Sequence, residues 1–259
     1  MNILTSFDTL AWMGMAGVFT LAGVVKGVVG LGLPTLSMAL LALWMMPTEA
    51  AALLVVPSLV TNLWQLRPLD RLGPMWRRLG GMQAGIVFGT LAGFWAFGGV
   101  GGLGGAGASV VLGLALTAYA AWGLLGSPLQ LPAGREPWLG PLAGACTGAV
   151  TALTGVFVLP AVVYLQALDL SREELVQALG LSFTTSTVAL AISLYGAQGH
   201  EGHAAPLLGA SLLMLPPALA GMALGQWVQQ RLSVPVFRRW FFLALGVLGV
   251  YIAVRAGMV

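Results

Sequence analysis

Charge is scarce in this chain. Its 259 residues hold 8 acids and 11 basic residues, 7% charged in all, where a soluble domain carries about 25%. So little charge over this length excludes an ordinary soluble globular protein. It points to an all-α polytopic membrane protein, a single integral membrane domain over residues 1–259. Cysteine occurs once, at Cys146, which excludes an intrachain disulfide. The N-terminal MNILTSFDTLAW has no basic region and no small-residue cleavage site, so it reads as the start of the mature protein rather than a removed signal.

Catalytic signatures are missing as well. No Ser/His/Asp set and no pair of carboxylates falls inside the apolar segments. The glycine-rich run from Gly98 to Gly107 is not followed by Gly-Lys-Ser/Thr, so it is not a phosphate loop. His200-Glu201-Gly202-His203 lacks the spacing of a zinc-protease helix and reads as a solvated loop, with a weak surface metal site as the alternative. The expectation is no enzyme, no metal and no cofactor. The pI near 9.5 does not signal nucleic acid: ten of the eleven basic residues are arginines, most of them in short loops where they set topology.

What is present is apolar residue, 58% of the chain, with a mean hydropathy of +0.93, 37 glycines and nine tryptophans. The first span runs from about Thr9 to Gly30, and a short apolar piece follows over Leu33–Met46. Pro47-Thr48-Glu49 opens the next helix, which reaches about Leu66. A loop at 67–78 precedes spans at about 79–97 and 106–125. After the polar joint at 127–136, a span covers about Pro137–Val158 and a short piece Leu159–Leu168. Ser171 and Glu174 form a capping box for a helix reaching about Tyr195. Spans at about 204–227 and 237–256 complete the chain.

The order of elements repeats: span, break, short piece, capped span, two spans. Shifting the sequence by 126 residues pairs Trp12 with Trp138, Leu33-Pro34 with Leu159-Pro160, and Thr61 with Thr187. The fold expected is two repeats, at about 9–126 and 137–257, each with a broken first helix, giving about eight full spans plus two short helices. Five passes per half would invert the second half relative to the first. That arrangement puts nine arginines, in 67–78, 127–136, 169–174 and 231–239, on the cytoplasmic side, while the outer loops 98–105 and 196–203 have no lysine or arginine. Whether the short pieces cross or dip stays open at this level.

The stretch TLAGVVKGVVGLGLPTL, Thr20–Leu36, carries the sharpest signal. Lys26, the only lysine, lies four residues before a Gly-Leu-Gly-Leu-Pro break. A lysine at mid-membrane costs about 2.5–3.5 kcal/mol on insertion scales. It either faces a polar cavity, attracting an anion or moving a proton, or snorkels to the interface. Gly27, Gly30 and Gly32 with Pro34, and Gly155 with Pro160, mark two breaks whose freed backbone groups could line a shared substrate site; close helix packing is the alternative. Thr147, Thr151 and Thr154 lie at helical spacing before the second break and either present hydroxyls on one face or bond back to their own helix. Asn62 and Gln177 are site candidates or interhelical glue. Gly81, Gly85, Gly89 and Gly93, with Gly221 and Gly225, read as G-x-x-x-G packing positions.

Three segments carry a resemblance: AGVVKGVVGLGLPTLSMALL with the Ala-rich helix after it, GACTGAVTALTGVFVLPAVVYLQAL, and PALAGMALGQWVQQRLSVPVFRRWFFLALGVLGVYI. In these the chain resembles the TauE/SafE family of sulfite exporters, also called the TSUP family. It departs where Leu33 interrupts the first glycine cluster and where TGVFVLP replaces a glycine-rich turn. The resemblance implies a multi-pass protein of the cell membrane, in a bacterial inner membrane, moving a small anion: sulfite, a sulfonate, or another organosulfur or carboxylate compound. A proton is the coupling ion to consider, and the bilayer the other partner. The competing expectation is a non-transporting membrane anchor or assembly subunit.

Overall fold

The computed structural model describes residues 8–100, 102–126, 129–132, 134–198, 204–231 and 233–258. The described residues form helices joined by short turns, with no strand among them. In chain order these are α1 (Thr9–Val29), α2 (Leu33–Leu41), α3 (Pro47–Gln65), α4 (Leu72–Phe97), α5 (Gly104–Leu125), α6 (Glu136–Thr154), α7 (Ala161–Gln166), α8 (Arg172–Gln198), α9 (Ala204–Leu213), α10 (Leu215–Gln229) and α11 (Val234–Gly257). Six stretches, in α1, α4, α5, α8, α9–α10 and α11, are long and apolar enough to cross a bilayer. The chain is an all-α polytopic membrane protein.

Local chemistry sets the ends. Asp8 accepts from the Ala11 N–H at 2.8 Å and starts α1. The capping box at α8 is made in both directions: the Ser171 N–H donates to Glu174 at 2.9 Å and the Glu174 N–H to the Ser171 hydroxyl at 3.3 Å. Pro57, inside α3, cannot donate to the Leu53 carbonyl. The Ser211 hydroxyl of α9 donates there instead at 2.8 Å and accepts from the Val56 N–H.

Several boundaries differ from the sequence reading, among them the short piece expected over Leu33–Met46, whose helix ends at Leu41. The 67–78 loop is shorter, because α4 already begins at Leu72 and carries Arg77 and Arg78 on its first turns. The span expected over Pro137–Val158 stops at Thr154, where Gly155 takes a left-handed φ of +68°. The span expected at 204–227 is two helices meeting at Met214, since Pro216 and Pro217 fit the first turn of a new helix and not the middle of an old one. The histidine loop lies outside the described residues.

Helix pairing follows an interchange of the halves. With α9–α10 counted as one element, the opening helix of each half packs on the fourth element of the other: α1 on α10, and α6 on α4. Glycine makes both contacts close. A Cβ on Gly23 or Gly27 would overlap the Ala218 or Met222 carbonyl, and one on Gly85 or Gly89 the Pro141 or Ala145 carbonyl. The G-x-x-x-G positions are thus contact surfaces. The third elements pack on each other, α3 against α8, and so do the fifth, α5 against α11. Both of these pairs are antiparallel: Gly113 meets Gly249 while Gly123 meets Phe242, and Leu66 bonds to Gln177 while Asn62 reaches Thr187. Arg67, Arg71, Arg77, Arg78, Arg172, Arg231, Arg238 and Arg239 belong to helix ends and turns at one end of this bundle.

Candidate functional site

Lys26 sits in the last turn of α1, and its carbonyl accepts the Gly30 N–H that closes the helix at 2.8 Å. The residue is 3% exposed. Its ammonium donates to the Asn62 side-chain oxygen on α3, and the Asn62 amide nitrogen lies 3.4 Å from the Thr187 hydroxyl on α8. Thr187 in turn donates to the Phe183 carbonyl at 2.7 Å. The lysine is therefore held inside the bundle and does not snorkel outward along its helix. An ammonium has three donors, and Asn62 takes one. Among the described residues no carboxylate pairs with Lys26; the ion pair there is Arg78–Glu136.

Lys26, Gly27 and Gly30 line a cavity of about 370 Å³ at the arginine-rich end. Gln65 and Arg67 enter it from the end of α3, Arg172 from the start of α8, and Gln226 and Gln229 from α10. Three of the lining side chains are cationic and none is acidic. The Arg67 guanidinium rests 4.7 Å above the Trp64 ring, which fixes its plane. The freed carbonyls of the break have partners: Gln65 donates to Gly30, and Gln229 to Val28 at 2.7 Å. Backbone groups in such a position cannot be left to lipid.

The other predicted residues go elsewhere. Gly32 takes φ +110° and packs on Val25 and Phe241, leading into Pro34 in the buried first turn of α2. Gln177 is interhelical glue: it donates to the Leu66 and Pro68 carbonyls at 2.8 and 2.7 Å. Thr147, Thr151 and Thr154 each bond back four residues, at 2.7 Å. Gly155 lies against Met38 and Ala51, and Pro160 precedes α7. Ala51 and Gln65 are about four turns apart on α3, roughly 21 Å. The two breaks therefore sit at opposite ends of α3 rather than around one point. The second is closed, with Phe157 fully buried and its ring 5.3 Å from that of Phe183.

Sequence reasoning read Arg67 and Arg172 as topology signals alone and passed over Gln226 and Gln229. A usable signal was there: glutamines at i and i+3 in GQWVQQ, closing an apolar helix, demand partners that lipid does not supply.

The family model described as sulfite exporter TauE/SafE matches residues 15–252, nearly the whole chain. No curated protein and no solved structure gave a match.

Proposed function

The chain belongs to the sulfite exporter TauE/SafE family, and from that premise we propose that it is a secondary transporter exporting a small anion by alternating access. The substrate class is sulfite, a sulfonate, or another organosulfur or carboxylate compound. One observation carries this reading. Lys26 is buried, bonded to a neutral amide, and opens on a cavity whose other charges are Arg67 and Arg172. A buried ammonium without a counter-ion is costly. A bound anion supplies the missing charge, and two guanidiniums at the mouth draw it in.

The arginine-rich end is the cytoplasmic one, and the cavity there is the inward-open entrance. The second break, packed on Met38 and Ala51, is the closed outer side. The two halves act as inverted repeats within one membrane domain, which explains why corresponding helices pack in interchanged or antiparallel pairs. Release of the anion together with the lysine proton would leave Lys26 uncharged, with no buried ammonium left unpaired, which makes a proton the natural coupling ion.

Proteoliposomes loaded with labelled sulfite, a small sulfonate or a carboxylate test the reading, with and without a pH gradient. Efflux of at least one of these anions is expected, and it should be lost in Lys26→Met. No flux of any of them from correctly folded protein would sink the proposal. Orientation is tested by Gly73→Cys in a Cys146→Ala background, since Gly73 has open space around it. Labelling from outside intact cells would reverse the topology.

A further inference from the structure

Beyond the first break lies a second chamber, of which the transport reading uses only Arg172. It measures about 340 Å³ and is lined by Tyr119 and Trp122 of α5, Gln166 of α7, Arg172 of α8, and Arg238 and Phe242 of α11. Val29, Arg172 and Val176 line both chambers, so the two are neighbours with the broken end of α1 between them.

Three observations converge here. Tyr119 is 2% exposed, and its hydroxyl has no hydrogen-bond partner. Buried hydroxyls are nearly always bonded, so the Tyr119 hydroxyl beside this chamber has a donor to spare. Two guanidiniums from different helices face the same space, with no acid in the lining. The remaining wall is apolar and aromatic. The Phe242 ring meets Tyr119 edge-on at 5.1 Å, and the Arg238 guanidinium lies 5.5 Å from its centre. Phenol and guanidinium donors together match a carboxylate or sulfonate, which offers several acceptor oxygens. The apolar wall matches an organic body, and the volume falls within the range of small-molecule sites, about 300–1,000 Å³.

We propose that this chamber is a second anion site, separate from Lys26, which takes an organic sulfonate or carboxylate with an apolar or aromatic body. Arg172, Arg238 and the Tyr119 hydroxyl hold the acid group, and Trp122 and Phe242 cover the body. Binding there does not depend on transport.

Benzenesulfonate is the probe, titrated calorimetrically into protein in phosphatidylcholine nanodiscs. Arg238→Gln should weaken it at least about 10-fold, as expected when a charge-assisted bond is lost. Tyr119→Phe, which removes a single hydroxyl, should weaken it about 3- to 10-fold. Lys26→Met should leave the binding that depends on Arg238 and Tyr119 in place, since Lys26 lines only the other chamber. Melting temperatures verify that each variant is folded. No binding to the unaltered protein overturns the proposal. So does an affinity unmoved by both Tyr119→Phe and Arg238→Gln, or one abolished by Lys26→Met, which would place the probe in the first chamber. Binding lost in phosphatidylglycerol nanodiscs but kept in phosphatidylcholine nanodiscs at the same high salt, where surface potential is screened, would assign the arginines to lipid phosphate and also overturn it. Failure of the export reading would appear as absent flux with benzenesulfonate binding intact, so the two failures are distinguishable.

Discussion

Gly30 and Gly155 end the opening helices of the two halves in the same conformation, with φ of +83° and +68°. Each donates its N–H back four residues, at 2.8 Å, to Lys26 in one half and Thr151 in the other. Beyond that point the breaks part company. At the first, carbonyls are capped from other helices, by Gln65 of α3 and Gln229 of α10. At the second the capping is local: the Val156 N–H donates to the Thr154 hydroxyl at 3.1 Å. The first break therefore depends on hydrogen bonds from α3 and α10, whereas the second is capped within its own turn and meets α3 through the apolar contact with Ala51. Charge divides the same way. Lys26, Arg67 and Arg172 surround the first break, and apolar side chains enclose the second. Two breaks of one backbone conformation thus differ in the side chains around them, charged at the first and apolar at the second.

The strongest way to break this comparison is to remove the charge. Truncating one partner of a buried charge contact costs about 2–5 kcal/mol, so Lys26→Met should lower anion flux at least ~30-fold. Thr151→Val in the other half removes a hydroxyl already spent on the Thr147 carbonyl and should leave flux within about twofold. Equal loss in both variants, with both folded, would mean that the second break carries as much of the site as the first.

Next in size is the packing that the halves share. Gly27→Ala and Gly85→Ala each drive a Cβ into a neighbouring carbonyl, of Met222 and Pro141 respectively. Overpacking of this kind costs about 1–3 kcal/mol, and thermal unfolding in detergent should show both variants destabilised. Gly73→Ala, with open space around it, should be neutral or stabilising by up to about 1 kcal/mol. A harmless Gly85→Ala beside a damaging Gly27→Ala would end the equivalence of the α1–α10 and α4–α6 contacts.

Smaller still is the difference in capping. Gln65→Leu and Gln229→Leu each remove one hydrogen bond to a freed carbonyl, about 1 kcal/mol of stability. Their distinguishing readout is hydrogen exchange, which should rise over 26–34 in both variants and stay unchanged over 151–160. Thr154→Val should give the converse pattern. Exchange that rises at both breaks in any one variant would show that the breaks are coupled and not independently held.

Much of the fold was legible because bilayer physics constrains it. Long apolar runs and the Ser171–Glu174 box each have one physical reading, the Gly-Leu-Gly-Leu-Pro run ends a helix under either of its readings, and the helices fall close to where these signals put them. The candidate site was legible at Lys26, Gly27, Gly30 and Asn62, since a lysine among apolar residues must find a polar partner. It was not legible at Arg67 and Arg172. An arginine at a helix end satisfies the topology rule whether it faces solvent or a cavity, and only the packing of α3 on α8 separates the two. Thr151, Gly155 and Gln177 mark the opposite limit. Periodicity placed them on the right helices but cannot say that a hydroxyl bonds back, or that an amide is taken by the Leu66 and Pro68 carbonyls.

The smallest effect concerns the joint between the halves. Arg78 of α4 grips the Glu136 carboxylate at the start of α6 with two bonds, 3.0 and 2.7 Å, and also donates to the Leu168 carbonyl at 3.2 Å. The Arg78 hydrogen bond holds the Glu136 carboxyl below its ordinary range. A carboxylate with a lowered folded-state pKa adds stability that is complete above its unfolded value, about 4.3, and is lost as pH falls through the folded value. Because both side chains are substantially exposed, 41% and 35%, the pair contributes no more than about 1 kcal/mol. Glu136→Gln should therefore melt slightly below the unaltered protein at pH 7, with the gap closing in acid below pH about 4. A gap that persisted in acid would show that Glu136 acts through packing and not through its charge. The joint would then hold the halves together by shape alone, as the glycine contacts do.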